Sequence, residues 1–228
     1  MAYIGNKPAN KAVVASDLDP AVITGQTALA TSPADTDEFL ISDAGVLKRL
    51  DASLIGGGSL VKLHSVTTTD ANTTNIDFTS TYITTTYDNY LVLGKVKVAT
   101  DDAECRVRFS ESGTFQDGAS YYGIGMLNEG AGSTNDNDIS YMTLDTNGAG
   151  NASGEGLSFN ATFFNLRDSS IFSCMNFIRT NINADNFHSM QVGSGGTDAA
   201  ADHDGIRFYL SSGNFASGTT ITLYGYEK

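Results

Sequence analysis

From Leu60 to Tyr226 the chain reads as short runs of alternating apolar and polar residues, separated by clusters of Gly, Asn, Asp and Ser. In Cys105-Arg106-Val107-Arg108-Phe109, and again in Ile206-Arg207-Phe208-Tyr209-Leu210, the alternation has the period that turns one face of a strand toward a core. The pattern predicts strands over 60–66, 74–78, 82–86, 89–99, 103–110, 119–127, 138–145, 155–165, 170–179, 186–192, 205–211 and 219–226, of which about nine or ten are expected to form. No stretch beyond residue 60 sustains a 3.6-residue period, so the expected fold class is all-β. The expected architecture is an antiparallel β-sandwich, jelly-roll-like, with an extended N-terminal arm. In the last run Ile221 and Leu223 share one side, while Thr222, Tyr224 and Tyr226 share the other, a candidate for subunit contact or simply an edge strand.

The pattern changes at Gly56-Gly57-Gly58-Ser59, a natural hinge, which divides the chain into residues 1–58 and 59–228. Pro8, Pro20 and Pro33 all precede the hinge, as expected if the longer part is dense with strands whose ladders need every N–H. Residues 1–58 are poor in large apolar groups and are expected to need a partner. Ser16-Asp17-Leu18-Asp19-Pro20, followed by Gly25, has the start and stop signals of one short helix. Residues 37–50 read as two short strands around Asp43-Ala44-Gly45, a hairpin that is marginal alone.

Charge narrows the partners. Thirteen Lys and Arg against twenty-six Asp and Glu give a formal charge of −13, a field that repels polyanions, so no nucleic-acid partner is expected. The acids are dispersed rather than gathered in a tail, which reads as solubility. Cys105 and Cys174 alternate with apolar neighbours and are expected as buried thiols, with facing positions across a sheet left open. The opening lacks a charged segment followed by an apolar run, and no 18-residue apolar stretch occurs, so neither export by a cleaved signal nor membrane insertion is expected.

Catalytic signatures are missing from the sequence. The histidines are His64, His188 and His203, none in a local motif, and there is no nucleophile elbow, zinc-protease helix motif or phosphate loop. A polysaccharide hydrolase needs two carboxylates at a set separation, and Glu129, Asp136, Asp138 and Glu155 cannot be paired from sequence. No enzyme and no cofactor are expected. Asn135-Asp136-Asn137-Asp138 and the run from Asp198 to Gly205 collect oxygen ligands of the kind calcium prefers, but neither completes a loop of known spacing. Asp202, His203 and Asp204 are weak candidates for a transition metal. For a surface ligand, the densest aromatic and amide combination is Tyr121 and Tyr122 followed by a Gly-rich stretch with Asn135, Asp136 and Asn137, read as a loop.

Four phrases carry a family resemblance: Tyr87-Asp88-Asn89-Tyr90-Leu91-Val92-Leu93; Arg106-Val107-Arg108-Phe109-Ser110 with Ser112-Gly113-Thr114-Phe115; Tyr121-Tyr122; and the run from Phe208 to Gly225. Together they resemble the small β-sandwich domains at the ends of tailed-bacteriophage fibre and tail proteins. The opening Met1-Ala2-Tyr3-Ile4-Gly5-Asn6-Lys7-Pro8-Ala9 looks like the start of many fibre proteins, and residues 34–55 look like their short connecting β-module. The resemblance implies a homotrimeric virion protein made in the host cytoplasm. Its arm, through Tyr3, Ile4, Pro8, Val13 and Val14, would dock on other tail proteins, and its head would face a host-surface polysaccharide. Closed cyclic symmetry of another order would bury the arm equally well. Open alternatives are a capsid decoration or baseplate component without a host ligand, a polysaccharide-degrading tailspike, and a bacterial carbohydrate-binding module.

Overall fold

The structure is a computed structural model, and it describes residues 34, 37–44, 46–52, 60–127 and 132–226. Contacts group the chain into two units that part after Gly56, inside the glycine run. In the first unit β1 (Glu38–Asp43) and β2 (Val46–Asp51) pair antiparallel, with Asp43 opposite Val46 around a turn in which Ala44 takes a left-handed backbone. Arg49 pairs with Glu38 at 2.8 Å, while Phe39, Leu40 and Val46 stay exposed. The helix expected over 16–25 and Tyr3, Ile4, Pro8, Val13 and Val14, expected to attach the arm, lie outside the described residues.

The second unit is all-β. Its strands are β3 (Leu60–Thr67), β4 (Asn75–Phe78), β5 (Asn89–Val96), β6 (Cys105–Glu111), β7 (Thr114–Phe115), β8 (Tyr121–Leu127), β9 (Gly132–Ile139), β10 (Met142–Thr143), β11 (Gly156–Phe164), β12 (Cys174–Ile182), β13 (His188–Thr197), β14 (His203–Leu210) and β15 (Thr220–Tyr226). A wide sheet runs β3-β15-β5-β11-β12-β13-β8-β9; a narrow one runs β10-β6-β14-β4, with β7 paired to β6. All pairings are antiparallel.

Aromatic rings from both sheets join them into one core. Phe159 of β11 stacks on Phe208 of β14 with centroids 5.6 Å apart, and Phe163 of β11 meets Phe109 and Phe208 edge-on. Such offset and edge-to-face pairs suit the ring quadrupole and add to the area they bury. Phe159 can sit there because its cross-strand partner is Gly94, where a Cβ would come within 2.1 Å of the ring; Phe177 lies over Gly193 in the same way.

The run expected as one strand over 138–145 is split between the end of β9 and β10, and three further segments depart from the pattern-based expectation. Residues 82–86 form no strand: Tyr82 and Ile83 both donate to the Thr79 carbonyl, and the Tyr90 hydroxyl accepts from Thr84 N–H and donates to Thr84 O. Threonine-rich composition signals a strand there, but a turn satisfies the backbone locally. Residues 170–173 precede β12 because Asp168 accepts from Ser170 N–H and its hydroxyl, an Asx turn. Within the Gly-rich run read as a loop, residues 132–137 instead belong to edge strand β9, which places Asn135 and Asp136 opposite Ile124 and Gly123 of β8. An edge strand draws its stability from one ladder and needs no apolar signature.

Candidate functional site

The outer face of the wide sheet carries an unusual share of apolar surface. Register aligns Thr222, Leu93, Asn160, Ile178 and Val192 across β15, β5, β11, β12 and β13 in one outward row. Ile178 is 47% exposed and Val192 44%, directly opposite each other, and Ile124, Met190, Tyr122 and Leu93 are exposed on the same face. Beside them an apolar cleft of about 460 Å³ is lined by Tyr122, Ile124, Phe164, Phe172 and Cys174. Both cysteines are free; Cys174 is half-buried in this cleft, and Cys105 is buried in β6 of the narrow sheet. Burial pushes both thiols above the ordinary range.

A second, polar cleft of about 470 Å³ opens where the β4–β5 and β11–β12 connections meet. Thr85, Tyr87, Asp88 and Asn89 form one wall, Asn165, Arg167 and Asp168 the other. The Asn165 N–H donates to the Asp88 carbonyl at 3.3 Å, and Asn165 itself takes a left-handed backbone, tying the walls together. Arg167 is held by Asp202 at 3.0 Å. The hydroxyl and then the amide of Ser170, both donating to Asp168, hold its carboxyl below the usual range. Tyr87 is fixed by packing on Gly225, where a Cβ would lie 2.5 Å from the ring, and by an edge contact with Tyr90. Carboxylate and amide acceptors, guanidinium donors and a rigid aromatic are the groups that match vicinal hydroxyls.

The residues singled out from sequence separate. Tyr121 is 1% exposed and belongs to the core; its hydroxyl accepts from Phe109 N–H at 2.9 Å, and burial pushes its pKa up to about 12. Alternation along β8 forces this, because with Tyr122 outward its neighbour must point inward. Tyr122 does reach the surface, in the apolar cleft. Asn135, Asp136 and Asn137 share one stretch of β9 backbone. The weak metal trio is dispersed: Asp202 pairs with Arg167, His203 points into the core, and Asp204 accepts from Ser110 Oγ at 2.6 Å and from Gly113 N–H. Among the described residues no three such ligands converge. The polar cleft escaped sequence reasoning because its walls come from segments far apart in the chain; the one local signal was Tyr87-Asp88-Asn89.

Two constellations with buried members have chemical potential. Ser173 Oγ lies 2.7 Å from His203 Nδ1, and His203 Nε2 lies 3.5 Å from Glu111, the order of a nucleophilic triad. Ser173 and His203 are buried, however, and the Ser173 hydroxyl donates to the Asn165 carbonyl, so the set acts as a clasp between β6, β14 and the segment leading into β12. Deeper, Arg179 of β12 pairs with Asp145 at 2.8 Å, both fully buried, and donates to Asn181, Ser189 and Gln191. Burial pushes the Asp145 carboxyl up and Arg179 draws it back. Comparisons with protein-family models, curated proteins and solved structures give no match.

Proposed function

We propose that this chain is a non-enzymatic structural and adhesive protein of a bacteriophage tail, fibre-like, that self-assembles as a trimer. In this reading residues 1–58 attach it to other virion proteins and the sandwich contributes to host-surface glycan recognition. The observation that carries the adhesive part is the polar cleft between Tyr87-Asp88-Asn89 and Asn165-Arg167-Asp168. Its groups are of the kinds that hydrogen-bond to hydroxyls. The winding supports the head assignment: β3-β15-β5-β11 opposite β4-β14-β6-β10 is a jelly-roll order, with β8–β9 and β12–β13 as insertions. Jelly rolls serve viral coats and lectins, a fold-level analogy that leaves the argument to the site. Several weak sites on one particle gain from effective concentration, so shallow pockets suffice for attachment.

Arrays of host-surface polysaccharides probed with the full chain test this reading. Binding to a neutral or hydroxyl-rich glycan, weakened about tenfold or more by Asn89→Ala, is the expected result. Absence of glycan binding, with tight binding to another tail or capsid component, would favour a decoration or baseplate role, which the exposed apolar face also suits.

A further inference from the structure

The seven strands β3, β5, β8, β11, β12, β13 and β15 contain none of the chain's twenty-six acidic residues. Of the wide sheet's eight strands only β9 carries any, Asp136 and Asp138. The charged Lys and Arg side chains of the seven are Lys62, Lys95 and the buried Arg179. Lys62 and Lys95 sit on β3 and β5, away from the apolar cluster of Ile178, Met190, Val192, Ile124 and Tyr122 on β12, β13 and β8. The narrow sheet, by contrast, carries partly buried acids at Asp77, Glu111 and Asp204.

We infer that the outer face of the wide sheet, centred on β12, β13 and β8, is the surface through which copies of this chain associate. The inference deepens the self-assembly in the proposed function and rests on that reading. Its physical basis is charge. Molecules of formal charge −13 repel one another, and like charges brought together at an interface cost several kcal/mol. Near a closed symmetry axis a residue meets its own copies, so a carboxylate there would face carboxylates. A face meant for a basic partner would keep its acids; a face meant for another acidic copy must exclude them. Exclusion combined with exposed Ile, Val, Met and Tyr is the composition of an interface centre, and exposed apolar surface of this kind needs a cover.

The test is the mass of the full-length chain by light scattering, compared with Ile178→Glu and with Ser212→Glu, an acid placed in an exposed turn outside the face. An oligomer for the unsubstituted chain and for Ser212→Glu, with a folded 24.0 kDa monomer for Ile178→Glu, is expected. An oligomer that survives Ile178→Glu overturns the assigned face and leaves self-assembly standing; a monomeric unsubstituted chain overturns both. Peroxide oxidation of Met190 in the unsubstituted chain gives a reading that depends on no variant. Protection relative to the unfolded chain is expected, and oxidation as fast in the oligomer as in the unfolded chain overturns the inference.

Discussion

Arg179 of β12 and Asp145 sit at the centre of a buried polar network. Asn181 donates to both Asp145 oxygens and to the Gly148 carbonyl, and Ser189 and Gln191 complete the shell around the guanidinium. Removing one partner of such a pair leaves a buried charge, so Asp145→Asn is expected to lower stability by about 3–5 kcal/mol in chemical denaturation. Replacing both, as Arg179→Met with Asp145→Leu, is expected to recover most of that loss. His203 gives a pH signature. Burial holds its pKa below the ordinary 6.5, while Glu111, Asp202 and Asp204 oppose this more weakly. The unfolded chain therefore takes up the proton first, and stability that is full above pH 6.5 falls as the pH drops below it. His203→Asn is expected to flatten that limb of the stability–pH curve. Neither role was legible in the sequence: Asp145 and Arg179 carry no local signal of a buried pair, and His203 reads as a weak metal candidate between two acids, because burial of a charged residue follows from partners supplied by other strands.

The strands themselves were largely legible. Alternation in β6, β11 and β14 corresponds to buried and exposed positions almost residue by residue, whereas in β12 apolar Ile178 faces outward and Arg179 inward. It failed where side-chain chemistry, rather than apolar period, governs the backbone, as in the turns at 79–84 and 168–170 and the polar edge strand β9. Register is visible only in pairs, and the most exacting pair is Phe159 over Gly94. Gly94→Ala is expected to cost about 1–3 kcal/mol, since the new methyl must displace a ring already stacked on Phe208. Thermal unfolding measures it, and the paired change Gly94→Ala with Phe159→Leu should lose less than the sum of the two single changes.

At the scale of the molecule, composition and charge acquire positions. Acids dispersed along the sequence become segregated in space, absent from seven strands of one sheet and present on the other sheet and in the connections. Light scattering on Ile178→Glu asks whether that segregation organises assembly; the glycan array asks whether the polar cleft at the loop end takes a ligand. The sequence by itself determined the fold class and the faces of strands such as β6 and β14, because side-chain period is a local property. Only the tertiary structure decided that Tyr121 is core while Tyr122 is surface and that Asp202, His203 and Asp204 go separate ways. It alone formed a cleft from residues 85–89 and 165–168. Those outcomes depend on which strands become neighbours, and in an antiparallel sandwich neighbours are chosen by long-range pairing that no local pattern encodes.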